Sequence, residues 1–131
     1  MTGTKEDYIK YRLERAEQTL KDAKILIQQE SLNSAVNRLY YACYYAVHAL
    51  LLKYEIKPKT HSGTKTIFYQ TFIQTGIIKK EYSKLYSDLF DWRQEGDYAD
   101  FIEFDKKTVD PLPEKVYSFI NTIKSIIFSE V

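Results

Sequence analysis

Between residues 35 and 50, side chains that could bind a ligand or exchange protons recur among apolar ones. Four of them follow steps of four, three and four residues and so share one face of a helix: Asn37, Tyr41, Tyr44 and His48. Arg38, Tyr41 and Tyr45 form the neighbouring row. Two interpretations are open. The stripe is either a satisfied polar seam with His48 in the core, or a cleft where tyrosines stack on bases and Arg38 contacts phosphate.

A basic loop follows this stripe. It holds four lysines and one acid, a local charge of +3: Lys53, Lys57, Lys59, Lys65 and Glu55. The segment THSG at 60–63 adds hydroxyls and can begin a helix, whose N-terminal N–H groups attract anions. The loop is therefore either a solvated surface segment or an anion site formed with Lys59, Thr60 and His61. The glycine spacing of a Walker loop is absent.

Arg93 is the third candidate. It continues a helical stripe of core-type residues formed by Tyr82, Tyr86 and Leu89, so its side chain should point inward. An inward arginine needs a partner, which Asp97 or Asp100 can supply, or it can bind phosphate. Two aspartates without a histidine are a weak metal signature. We therefore predict no metal site.

The composition excludes several classes of protein. The 131 residues carry a net charge of +1, so nothing drives the whole chain toward nucleic acid or an anionic membrane, and an RNA site must be local. Cys43 is the only cysteine and is expected to be buried rather than nucleophilic. No apolar run approaches a membrane span, and Met1–Lys10 lacks a signal-peptide core. We expect a soluble cytoplasmic protein with neither a membrane nor a DNA partner.

The elements that position these candidates are predicted to be helices. Apolar residues repeat at steps of four and three over Lys5–Gln29 and predict an amphipathic helix: Ile9, Leu13, Ala16, Leu20, Ala23 and Ile27. A second helix, capped by Ser31 or Asn33, should run to about Lys53. Its apolar residues cover much of its circumference, which is typical of a central helix. The short connection makes the two helices antiparallel.

Two further helices are predicted in the middle of the chain. One covers about Ser62–Gln74, with Gly76 as a C-terminal stop. The next covers about Lys79–Glu95 and is expected to end at Gly96. The segment 97–108 should be irregular or only briefly helical.

The last helix should be capped by Asp110, with Pro111 in its first turn. Its predicted apolar face consists of Val116, Phe119, Ile120, Ile123 and Ile127. These elements predict an all-α antiparallel bundle of four long helices and one short helix, forming a single domain over residues 1–131.

Four ordered motifs resemble the HEPN family, which is named for a nucleotide-binding domain of prokaryotes and higher eukaryotes. They are NRLYYACYYAVHALL at 37–51, PKTHSG at 58–63, FIQTG at 72–76 and RxxxDY beginning at Arg93. The resemblance implies a HEPN-like helical bundle that usually forms a homodimer. It also implies a small nucleotidyltransferase as partner in a toxin–antitoxin pair.

Many HEPN proteins are metal-independent ribonucleases that use an arginine and a histidine a few residues later. Arg93 matches that arginine, whereas Asp97 and Tyr98 occupy the region of the histidine, and these three are the catalytic candidates. Without the imidazole we expect binding of a nucleotide or RNA rather than efficient cleavage, and no cofactor. The alternatives are a ribonuclease toxin that uses Arg93 with a non-histidine acid–base group, and a non-catalytic helical adaptor.

Overall fold

The computed structural model describes residues 3–98 and 103–129, and for residues 95–98 it describes the backbone alone. The helices of this part of the chain are α1 (Lys5–Gln28), α2 (Leu32–Lys53), α3 (His61–Phe68), α4 (Lys80–Tyr98), α5 (Lys106–Val109) and α6 (Leu112–Phe128). The same residues contain no strand. The predicted all-α bundle is confirmed, with α1, α2, α4 and α6 as its long helices. No helix among the described residues has the length and apolar character to span a bilayer.

α1 begins at a capping box. The Thr4 hydroxyl accepts a hydrogen bond from the Asp7 N–H, and the Asp7 carboxylate accepts one from the Thr4 N–H, each at 3.1 Å. α1 packs against α2, and five of the six residues of its predicted apolar stripe are buried, whereas Ile27 is only half-buried. The two helices are antiparallel, since Lys5 at the start of α1 donates to the carbonyl of Lys53 at the end of α2.

α2 is the central helix, as predicted, because it packs against α1, α4 and α6. Its apolar residues have no exposed surface: Ala35, Val36, Leu39, Ala42, Cys43, Ala46, Val47, Ala49 and Leu50. Ser31 occupies the N-cap position without a side-chain capping bond. Asn33 does not cap the helix either. It lies inside the first turn, where its side-chain oxygen accepts from the Phe104 N–H at 3.2 Å.

α3 starts at His61 because Thr60 caps it. The Thr60 hydroxyl accepts from the Gly63 N–H at 2.8 Å. A π-helical turn over Tyr69–Ile73 extends the element. Gly76 then stops it, as predicted, with a φ of +81° that favours glycine.

Two predicted boundaries are wrong. α4 continues through Gly96 to Tyr98, since one glycine costs a helix only about 1 kcal/mol. Asp110 does not cap α6, because it ends α5 as the C-cap residue of that helix, with a helical backbone. Pro111 instead occupies the N-cap position, and Pro113 lies in the first turn. The predicted apolar face of α6 is buried.

Candidate functional site

The site is centred on Tyr40, where α2, α3 and α4 meet. The Tyr40 ring is fully buried, yet its hydroxyl lies 2.8 Å from Nδ1 of His61. On the other side, the Tyr86 ring of α4 is parallel to it within 10°, with the centroids 5.8 Å apart. The His61 ring stacks on Tyr44, with centroids 4.4 Å apart. The cap at Thr60 places His61 at this junction, because it makes His61 the first residue of α3.

Arg93 extends its guanidinium over the same rings. Its Cζ lies 4.9 Å from the centroid of Tyr40 and 5.8 Å from that of Tyr41, which are cation–π distances. The side chain is half-buried and points inward, as its stripe indicated. Burial, and next the charge of Arg93, lower the pKa of His61 below its usual value. His61 is therefore neutral near pH 7, with one ring nitrogen able to accept a proton.

A second guanidinium approaches Tyr41 from α2. Arg38 donates from Nε and Nη2 to the Asn37 side-chain oxygen, at 3.1 and 2.8 Å. Its Cζ lies 5.0 Å from the centroid of Tyr41. Arg38 and Arg93 thus both contact the ring of Tyr41, and Asn37 holds Arg38 in place. Two cations on one half-exposed aromatic ring can bind an anionic group beside a flat one.

His48 lies one turn beyond Tyr44, with the two ring centroids 4.2 Å apart. Its Nε2 is 3.4 Å from the Thr64 hydroxyl. Burial, followed by the charges of Arg12 and His61, lowers the pKa of His48 to about 4. His48 is therefore a neutral, half-buried ring that extends the aromatic row.

The loop candidates occupy the edge of this cluster. The structure brings His61 into contact with Tyr40 and Tyr44, while Lys59 is exposed. The Thr60 hydroxyl accepts the capping bond from the Gly63 N–H, so an anion at this helix start would compete with Thr60 for that N–H donor. Asp97 lies in the last turn of α4, but its side chain and that of Tyr98 are outside the described part of the chain, as is the whole of Asp100.

Other chemistry has little support. Burial raises the pKa of the Cys43 thiol well above its usual value, as expected for a core cysteine. Burial also raises the pKa of Tyr40 and of Tyr86, so both phenols keep their protons. Over residues 3–98 and 103–129, no three His, Cys, Asp or Glu side chains converge as metal ligands.

The sequence patterns did not single out three residues of this region as candidates for the site. Tyr40 has core burial, but it precedes Tyr44 by one helical turn, and this spacing could have revealed it. Arg12 and Arg15 lie on α1, whose polar face we expected only to be solvated. Arg15 donates to the Tyr45 hydroxyl at 3.1 Å and so reaches the polar row of α2.

Comparison with known proteins shows the family of this chain. Residues 9–126 match the HEPN domain, and the chain belongs to this family, as its motifs indicated. It is 41% identical over 123 residues to a UPF0332 protein of Thermotoga maritima, covering 94% of this chain and 93% of that protein. Two relatives from Methanocaldococcus jannaschii are named "Putative toxin MJ0142" and "Putative toxin MJ0605". The first is 36% identical over 90% of this chain and 80% of its own, the second 31% over 88% and 85%.

Proposed function

We propose that this HEPN chain is a nucleotide- or RNA-binding module of a toxin–antitoxin-type pair. The observation that carries the proposal is the placement of Arg38 and Arg93 on the ring of Tyr41, next to the neutral imidazole of His61. A guanidinium pairs with phosphate through two parallel hydrogen bonds, while a tyrosine ring stacks on a base. With a net charge of only +1, the chain would owe its attraction for RNA to this local patch.

A titration with three ligands tests this proposal. We choose a single-stranded triuridylate, an abasic version of the same backbone, and inorganic phosphate, each followed by calorimetry. A base stacked on an aromatic ring contributes about 1–3 kcal/mol, so the abasic strand should bind about 10-fold more weakly than triuridylate. Equal affinities for these two strands would show a nonspecific charge interaction. No binding of triuridylate at millimolar concentration would contradict the proposal.

The partners in this proposal are a second copy of the chain and a small nucleotidyltransferase. The support is family membership, together with the two relatives whose printed names call them toxins. Light scattering at tens of micromolar concentration tests the homodimer, and a monomeric mass would contradict it. Co-expression with a nucleotidyltransferase encoded beside this chain, followed by purification of one tagged member, tests the pair. Recovery of the tagged protein alone would count against it.

Metal-independent RNA cleavage is the second candidate, and His61 favours it. His61 does not occupy the histidine position of the family motif. In the fold, however, it contacts Tyr40, and the guanidinium of Arg93 lies over that same ring. As a base, His61 would take the proton of a ribose 2′-OH. The 2′-oxygen would attack phosphorus, the bond to the 5′-oxygen would break, and that oxygen would take a proton from water. Arg93 would stabilise the charge on the phosphorane.

Cleavage is tested by incubating transfer RNA with the protein in excess EDTA. If the second candidate is right, fragments ending in 2′,3′-cyclic phosphate accumulate. His61→Gln abolishes them, whereas Lys80→Gln, at an exposed position at the far end of α4, retains most of the activity. Intact RNA after incubation with equimolar wild-type protein would contradict cleavage and leave binding as the only proposed function.

A further inference from the structure

A second polar groove lies between α1 and α2, outside the cluster around Tyr40. It has a volume of about 290 Å³ and is lined by Tyr11, Arg12, Arg15, Tyr44, Tyr45 and His48. Four of these six side chains are aromatic or imidazole rings, two are arginines, and none is a carboxylate. This lining resembles that of a site for a phosphate with an attached ring.

The two arginines face the groove in different ways. Arg15 donates from Nη2 to the Tyr45 hydroxyl, and its Cζ lies 5.0 Å from the centroid of that ring. Arg12 is close enough for its charge to act on both Tyr44 and His48. Asp22 is the acid whose charge acts on Arg15, and it lies two turns further along α1, beyond the groove lining. The lining of the groove therefore carries two positive charges and no negative one.

The groove continues the first site without a break. Tyr44 lines the groove and also stacks on His61. The ring centroids of Tyr45 and Tyr41 are 6.1 Å apart. From Arg38 to His48 the α2 axis advances about 15 Å. A strand that enters at Arg93 and Arg38 can thus run along α2 toward Arg12 and Arg15.

We propose that this groove, flanked by Arg12 and Arg15, is a phosphate-binding subsite for the continuing strand of a single-stranded RNA. The inference rests on the proposed function, because it takes the first nucleotide to occupy the cluster at Tyr41. A single nucleotide fills only that cluster. A longer strand also places a phosphate between the two arginines and bases against Tyr44 and Tyr45. Because of this subsite, the affinity of the protein for RNA should rise with the length of the strand.

Fluorescence anisotropy with labelled diuridylate and decauridylate tests the subsite. The test variant is the double substitution R12Q/R15Q. A charge-matched control is K21Q/K24Q, since both lysines are exposed and Lys21 is two and a half turns from Arg12, on the opposite side of α1. We expect R12Q/R15Q to weaken decauridylate binding about 10-fold or more at 0.1 M salt, and to leave diuridylate binding within about two-fold.

Salt dependence gives a second readout. Each lost phosphate contact on a single strand lowers the slope of log K against log salt by about 0.7, so R12Q/R15Q, which loses the one phosphate held between its arginines, should lower it by about 0.7. The charge-preserving variant R12K/R15K should keep most of the slope, which separates loss of charge from loss of fold. K21Q/K24Q should match the wild type with both probes.

Several results would overturn the subsite. Unchanged decauridylate affinity in R12Q/R15Q would do so, and so would equal weakening of both probes or the same loss in the lysine control. A change of mass in light scattering with unchanged RNA affinity would assign the groove to a second copy of the chain. If wild type binds diuridylate and decauridylate equally, the subsite fails and the first site stands. If it binds neither, the proposed function fails too.

Discussion

The two faces of α2 differ in the type of residue they carry and in how deeply those residues are buried. On one face, nine apolar residues from Ala35 to Leu50 have no exposed surface and pack against α1, α4 and α6. On the other, six polar or aromatic residues are only half-buried: Asn37, Arg38, Tyr41, Tyr44, Tyr45 and His48. Alanine, valine, leucine and cysteine side chains pack on the first face. On the second face, the rings and charged groups stay partly exposed to solvent.

Under the proposed function, this difference separates the residues that stabilise the fold from those that bind the ligand within a single helix. The apolar face gains free energy from surface removed from water, so changes there should be costly. The polar face holds its residues through cation–π contacts and single hydrogen bonds, each contributing about 1 kcal/mol or less. Tyr40 joins the two faces, because its ring is core and its hydroxyl reaches His61. Substitutions along α2 should therefore fall into two groups.

The largest effect is expected on the apolar face. Leu39→Asp buries a carboxylate with no cationic partner and should lower the free energy of unfolding by about 4 kcal/mol or more, enough to unfold much of the protein. Thermal melts followed by circular dichroism measure it. Leu39→Met, which nearly conserves volume, should cost less than about 1.5 kcal/mol. A folded Leu39→Asp protein with the wild-type melting temperature would remove Leu39 from the core.

A pH effect comes next, through His48. Its folded pKa of about 4 is below the unfolded value of about 6.5, so protonation favours the unfolded chain. Stability is fully present above pH 6.5 and falls as the pH drops toward 4. The shift corresponds to about 3 kcal/mol at full burial, which partial solvent exposure reduces to about 1–2 kcal/mol.

The control for this effect is His48→Gln, which removes the titrating ring. Urea unfolding at pH 7.0, 6.0 and 5.0 compares it with the wild type. The wild type should lose more stability over this range than the variant. Parallel losses would show that His48 is as solvated in the folded protein as in the unfolded chain.

Tyr40→Phe tests the residue that joins the faces. It removes the hydroxyl bonded to His61 and keeps the stacked ring, so it should cost about 1 kcal/mol. Tyr117→Phe is the matched control, since Tyr117 is 57% exposed and its loss should change stability by less than about 0.5 kcal/mol. Equal small effects in the two variants would mean that the hydrogen bond between Tyr40 and His61 makes no net contribution to stability.

The smallest change in stability is expected at Arg38. Arg38→Gln removes one cation from the ring of Tyr41 and should cost about 0.5–1 kcal/mol of stability. Binding of triuridylate should still weaken several-fold, because a phosphate contact is lost. Measuring the melt and the titration on one preparation checks both values. Undiminished affinity would move the ligand away from Tyr41.

Much of the fold follows from the sequence because burial dictates periodicity. The stripes of α1, α2 and α6 predict which residues are in the core, and the inward direction of Arg93 follows from its place in the stripe of α4. Helix ends are less predictable. Gly96 lies within α4 rather than ending it, and Asp110 ends α5 rather than beginning α6.

The site was predictable only where its residues share an element. The spacing on α2 gathers its own polar row, but nothing in the sequence places His61 against Tyr40 or Arg15 against Tyr45. Those contacts depend on how α3 and α1 pack across α2, which is a property of the folded chain. His61 of α3 therefore lies beside the Arg93 cluster although it is far from Arg93 in the sequence.

Arg93 tests the central claim most directly, namely that the polar face of α2 and the guanidinium of α4 form a binding site rather than a structural seam. Arg93→Gln should weaken triuridylate binding about 10-fold or more, while the melting temperature shifts by less than about 4 °C. Lys80→Gln, an exposed charge at the other end of α4, should change neither. Unchanged affinity combined with a melting temperature many degrees lower would make Arg93 a structural residue and contradict the site.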